Sequence, residues 1–289
     1  MAGKNDRQRR QAREKHRRRQ ELRAARHRQI RRRGAIGASV ILAAALIASL
    51  LLVFLPSGKG KPAASPTKSP SATPSATTVA EPAHHCSYPK ATLAAARTVS
   101  FPPATPDYTS SYQATINTNL GKIVLNLLNT KATCTVNSFV HLAEAGYFNN
   151  TQCHRLLTTG IYVLQCGDPY ATATTKLTCS STSKIGTGGP GYDFADENTT
   201  GATYPAGTVA MANTGSANSN GSQFFIVYKD STSGLGASYT PFATVSSGLD
   251  IVQNVAKEGY SCQYIQSGQA EGGAPKKKVI IDSVTIKKA

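Results

Sequence analysis

The run Gly34–Leu55, GAIGASVILAAALIASLLLVFL, holds 22 residues without a charge or a proline. As a helix it would extend about 33 Å at about 1.5 Å per residue, enough for a bilayer core of about 30 Å. So long an uncharged stretch is rare inside a soluble fold, and it predicts one transmembrane helix over 34–55. Residues 1–33 carry 15 Lys and Arg against 3 Asp and Glu. Positive charge gathers on the cytoplasmic side of a span, which predicts a single-pass protein of the cell membrane with its N-terminus inside and the rest outside. The basic tail is also expected to attract anionic lipid headgroups. A cleaved signal peptide is the competing reading, but its apolar core is usually about 7–15 residues. A lipoprotein anchor would need a cysteine directly after the run, and the first is Cys86.

The formal net charge of +17 raises the question of nucleic acid, yet the excess is local. The tail accounts for +12, and residues 112–289 for only +2. No aromatic interleaving or binding motif accompanies the tail, so no nucleic-acid partner is expected. Residues 56–85 are rich in Pro, Ser, Thr and Ala and read as a solvated stalk. Residues 86–111, with FPPATP, read as an irregular arm. Residues 112–289 are long enough for one core, expected to be monomeric. His84 and His85 beside Cys86 lack the spacing of a metal site.

Within 112–289, YQATINTNLGKIVLNLL reads as two strands around an Asn-Leu-Gly turn. TCTVNSFVHLAEAGYF spaces Val136, Phe139, Val140, Ala143 and Tyr147 as on a helix, with Thr133 or Thr135 as its cap. A second helix is expected around Leu249–Ala256. The other apolar runs are short and broken by Gly, Asn, Ser or Pro, which predicts a mainly β domain with an antiparallel sheet. In SQFFIVY, Gln223, Phe225 and Val227 share one strand face, and Phe224, Ile226 and Tyr228 the other. Six cysteines allow three bridges and 15 connectivities. Cys153 and Cys166 flank a hairpin-like stretch and could bond across it; Cys153 with Cys134 is the alternative. Asp193, Asp196 and Glu197 read as an acidic turn more than as a carboxylate pair.

What distinguishes the domain is polar residues set into apolar strands: His154 and Arg155 in CHRLL, Gln165 in LQCGDP and Gln223 in NSNGSQFFIVY. Together with TNLGKIVLNL, TVNSFVHLAEAGYFNNT, GTGGPGYDFADE, GTVAMANTG and YTPFATV, these stretches resemble the cyclophilin-type peptidyl-prolyl isomerases. The form with CHRL, LQCGDP, GGPGY and YTPF is similar to membrane-anchored cyclophilins of actinobacteria. The resemblance implies an eight-stranded antiparallel β-barrel capped by two α-helices, here preceded by the transmembrane helix.

It also implies a site. Arg155 and Gln223 would be catalytic, and Tyr162, Val163, Gln165, Ala212, Asn213, Phe225, Leu235 and Tyr239 would bind substrate, with His154 supporting from behind. Tyr239 stands where many members have histidine. The loop after SQFFI lacks the family's frequent tryptophan and offers Leu235. The segment 168–185 is longer than the usual turn. No cofactor and no metal are implied. The implied activity is cis-trans isomerisation of X-Pro bonds in unfolded or flexible polypeptides, extracytoplasmic or secreted ones given the expected topology. A proline-peptide-binding or chaperone module with little turnover is the alternative.

Overall fold

The computed structural model describes residues 85–179, 183–262, 265–266, 269–270 and 272–288. The chain runs β1 (Tyr112–Thr118), β2 (Gly121–Leu127), α1 (Thr133–Glu144), β3 (Thr151–Gln152), β4 (Arg155–Thr159), β5 (Ile161–Cys166), β6 (Thr208–Met211) and β7 (Phe224–Val227). It continues through α2 (Thr232–Leu235), β8 (Pro241–Ser247), α3 (Leu249–Glu258), β9 (Ile265–Gln266), β10 (Gln269–Ala270) and β11 (Ile280–Lys288). Nine strands form one antiparallel sheet in the order β3-β11-β1-β2-β8-β6-β7-β5-β4, and β9 and β10 form a separate pair. Its edge strands β3 and β4 are separated in the chain only by Cys153 and His154, so the sheet must curl to bring its two ends together.

Alternation along the strands sorts their side chains by face. Ala114 and Ile116 of β1, Ile123 and Leu125 of β2, Leu164 of β5, and Phe224 and Ile226 of β7 fill the main core. Helix α1 adds Val136, Phe139 and Leu142, and α3 adds Val252 and Val255. Phe139 sits 5.2 Å from Phe148, 5.6 Å from Phe224 and 5.1 Å from Phe242, ring centre to ring centre, within the range of favourable aromatic contact.

The arm of residues 86–111 packs on this core. Cys86 bonds to Cys134 of α1, and Tyr88 lies against Tyr192 and Phe194. Arg97 donates to the carbonyls of Tyr147 at 2.6 Å and Asn149 at 3.0 Å. No threonine caps α1. Instead the Glu197 carboxylate accepts the backbone N–H of Cys134 at 3.0 Å and of Thr135 at 2.7 Å, neutralising the first turn from far along the chain.

Three expectations are corrected. The sheet has nine strands, not eight, because the two-residue β3 joins β11 at one edge; the ladder order ends at β3 and β4 rather than closing as a barrel. There are three helices among the described residues, not two, because a single turn, α2, forms in the loop after β7. The transmembrane helix at 34–55 falls outside the described residues, and no helix among those described is long and apolar enough to cross a membrane. The longest, α1, has 12 residues and reaches about 18 Å, short of the roughly 30 Å required. The single-pass membrane location and the lipid contact of the basic tail, both built on that span, find no support among the described residues.

Candidate active site

Strand register builds the site. Arg155 of β4 stands opposite Gln165 of β5, Gln165 opposite Phe225 of β7, and Phe225 opposite Ala210 of β6. The next row on the same face is Leu157, Val163 and Val227. These residues face away from the main core and make a second apolar layer of Leu157, Val163, Tyr204, Ala210, Phe225 and Val227, against which Ile161, Ala212, Leu235 and Tyr239 pack. The sheet thus has apolar side chains on both faces, and the outer layer has Arg155 and Gln165 at its edge.

The polar edge is ordered by hydrogen bonds. Arg155 donates from Nη1 to Gln165 Oε1 at 3.3 Å, and Gln165 Nε2 donates to Gln223 Oε1 at 2.9 Å. Gln223 Nε2 donates in turn to the carbonyls of Gly186 at 3.0 Å and Gly188 at 2.9 Å. All three side chains are partly exposed, so the line is open to a ligand. His154 points the other way: it is only 1% exposed, and burial, then the charge of Arg155, pushes its pKa down to about 3. It is neutral at physiological pH and cannot reach a ligand on the outer face.

The far wall comes from α2 and its flanks. Phe225 meets Tyr239 edge to face at 5.4 Å. The Tyr204 hydroxyl donates to the Tyr239 carbonyl at 2.8 Å and accepts the Tyr239 N–H at 3.1 Å, which pins that residue. The buried Ser231 hydroxyl accepts the N–H of Tyr162 at 2.9 Å and so ties α2 to the β4–β5 hairpin. Gly234 rests on that hairpin; a Cβ there would lie 2.5 Å from both the Gly160 carbonyl oxygen and Ile161 Cγ2. Asn213, Leu235 and Tyr239 border a cleft of about 460 Å³, and Asn213 Nδ2 donates to the Ser238 carbonyl at 2.9 Å across it. The Ala212 N–H is bonded to the Gln223 carbonyl at 2.9 Å.

Of the residues singled out in the sequence, Arg155, Val163, Gln165, Gln223, Phe225, Ala212, Leu235 and Tyr239 converge here, with Asn213 on the adjoining cleft. Tyr162 does not. It lies on the opposite face, 6.0 Å from Tyr228, under the Lys229 ammonium at 4.5 Å and beside a separate cleft of about 450 Å³. Ile161 occupies the pocket side instead. Period-two counting outward from Gln165 marks Ile161 for the pocket side, whereas nothing in the local pattern marks Tyr204 or Ser231.

Cys153 and Cys166 are bonded to each other at the base of the β4–β5 hairpin, and Cys179 is bonded to Cys262. No group of His, Cys, Asp or Glu among the described residues has the arrangement of a metal site.

The family model described as cyclophilin type peptidyl-prolyl cis-trans isomerase/CLD matches residues 113–286. The chain belongs to this family. Among curated cyclophilins and their kin, it is 41% identical over 218 residues to the probable peptidyl-prolyl cis-trans isomerase B of Mycobacterium leprae, covering 70% of this chain and 66% of that one. It is 40% identical to the protein of the same description from Mycobacterium tuberculosis, covering 70% and 64%. The chain thus spans less than two thirds of the length of these relatives. A solved cyclophilin type isomerase of Cryptosporidium parvum is 25% identical, with 61% of this chain and 98% of that chain covered and a TM-score of 0.49.

Proposed function

We propose that this cyclophilin domain accelerates cis-trans isomerisation of X-Pro bonds in flexible polypeptides, with Arg155 as its principal catalytic group. The observation that carries this reading is the Arg155–Gln165–Gln223 line running beside the Phe225 and Val163 surface. A proline ring needs an apolar seat, and Phe225, Val163, Ile161 and Leu235 offer one. The imide needs a donor beside that seat, and Arg155 offers it.

Rotation about the bond faces a barrier of about 20 kcal/mol because resonance must be broken. In the twisted state the imide nitrogen regains a localised lone pair. The Arg155 guanidinium, already oriented by Gln165, donates to that lone pair more strongly than to the planar ground state. Catalysis is then differential stabilisation by a preorganised donor, with no covalent intermediate. Gln223 and Asn213 hold the flanking peptide. His154, buried and neutral, takes no proton-transfer role.

The described cysteines are all paired, which supports clients met in an oxidising compartment. Because the arm is disulfide-linked to α1, the working unit on this reading includes residues 86–111 as well as 112–289. The test is an X-Pro isomerisation assay on the full chain beside Arg155→Ala. We expect kcat/KM to fall at least about tenfold with unchanged far-UV circular dichroism. Equal activity in the two proteins would remove Arg155 from the mechanism. Tight binding of Pro peptides with no acceleration would favour a binding module.

A further inference from the structure

Beyond β5 the chain passes through Gly167 into Asp168, a carboxylate with no exposed surface. Its Oδ1 accepts the N–H of Tyr170 at 2.8 Å, and its Oδ2 accepts the N–H of Gly186. The Gly188 N–H also bonds to it. Burial raises its pKa, and these three backbone donors oppose the rise. Gly188 has no room for a side chain, since a Cβ there would overlap Asp168 Oδ1. The carboxylate therefore gathers residues 186–188 into a strap, although Asp168 and Gly186 are 18 positions apart.

The same two glycines hold Gln223. Both of their carbonyls accept from its Nε2, so the amide nitrogen must face the strap and the oxygen must face Gln165. A side-chain amide has one donor end and one acceptor end, so the choice passes along the line. Gln165 must present its nitrogen to Gln223 and its oxygen to Arg155. Were the strap carbonyls to move, Gln223 would be free to flip, and Gln165 with it. The amide NH₂ of Gln165 would then face the guanidinium, donor against donor.

We propose that Asp168 is a positioning residue for the isomerisation: by anchoring the 186–188 strap it sets the amide orientation of Gln223 and Gln165, and through them the pose of Arg155. The inference rests on the isomerase reading above. It gives a role to the hydrogen bonds that tie Asp168 to Gly186 and Gly188.

The test uses the full chain and begins with wild type against Arg155→Ala; equal activities there would defeat the isomerase reading itself, whatever Asp168 does. Asp168→Asn keeps the size of the side chain but turns one acceptor into a donor facing backbone N–H. We expect kcat/KM to fall about five- to tenfold, and the side-chain amide resonances of Gln165 and Gln223 to shift in ¹H–¹⁵N spectra. In a Gln223→Ala background, Asp168→Asn should change activity less than about twofold, because the route through Gln223 is already cut. A role confined to stability would lower both backgrounds alike and leave the amide resonances in place. Gly188→Ala, which displaces Asp168 from the other side, should give the same amide shifts and stands in where Asp168→Asn does not fold. Unmoved amide resonances, or equal losses with and without Gln223, would overturn the inference while leaving Arg155 catalysis intact.

Discussion

Lowering the pH should destabilise the domain through His154, and the structure fixes the sign. The ring is 1% exposed and its pKa is pushed from 6.5 to about 3, chiefly by burial and further by Arg155. The unfolded chain takes up a proton near pH 6.5 that the folded chain refuses until about pH 3. His154 therefore costs the folded state nothing at pH 7.5, and an increasing amount as the pH falls through 6.5. The slope is about 1.4 kcal/mol per pH unit, so going from pH 7 to 5 removes about 2 kcal/mol. Asp168 and Asp193, whose pKa values are raised by burial, act in the opposite direction, because the folded state gains a proton first. Asp107, held low by Lys288, Ser110 and Thr109, acts only at more acid pH, as its usual value is 3.8. The His154 share is isolated by His154→Gln, whose side chain does not titrate and so removes this pH dependence. Urea unfolding followed by tyrosine fluorescence, with disulfides intact, should show a gap between the two proteins that narrows by about 2 kcal/mol from pH 7 to 5. Parallel pH profiles would refute the reasoning and mean that the ring accepts its proton in the folded state.

Phe225→Ala should cost about 3–5 kcal/mol in urea unfolding, because the ring is 4% exposed and spans the outer layer; it should also raise KM for X-Pro peptides, and a stable variant with normal KM would speak against the pocket. Replacing Cys153 and Cys166 together by alanine should lower stability by about 2–4 kcal/mol in thermal unfolding, since their bond closes a short loop around Arg155. Gly234→Ala should cost about 1–3 kcal/mol and depress activity, because the new methyl must push α2 off Gly160 and Ile161; unchanged kcat/KM would show that the α2 wall does not touch substrate.

Much of the domain was legible locally. Period-two alternation assigned Gln223, Phe225 and Val227 to one face and Phe224, Ile226 and Tyr228 to the other, as the two apolar layers place them. Helical spacing located α1 and α3, and ordered motifs singled out Arg155, Gln165 and Gln223, whose side chains lie in one hydrogen-bonded line. Strand faces and helices depend on neighbours within a few residues, so the order of residues alone determines them, whereas the line joins positions 10 and 58 apart and needs the sheet register. What lay beyond reach depends on distant partners. Strand parity is not among these: counting by twos from Gln165 puts Ile161 on the pocket side and Tyr162 on the other, as the register has them. Glu197 caps α1 from more than sixty positions away, and Asp168 gathers a strap 18 residues on; neither separation has a period to betray it. Composition left 15 ways to pair six cysteines; the hairpin-like stretch pointed to Cys153 with Cys166, which the structure joins, but only packing brought Cys86 to Cys134 and Cys179 to Cys262. Local pattern determines which face a side chain takes, whereas the partner across that face is chosen by how the whole sheet curls.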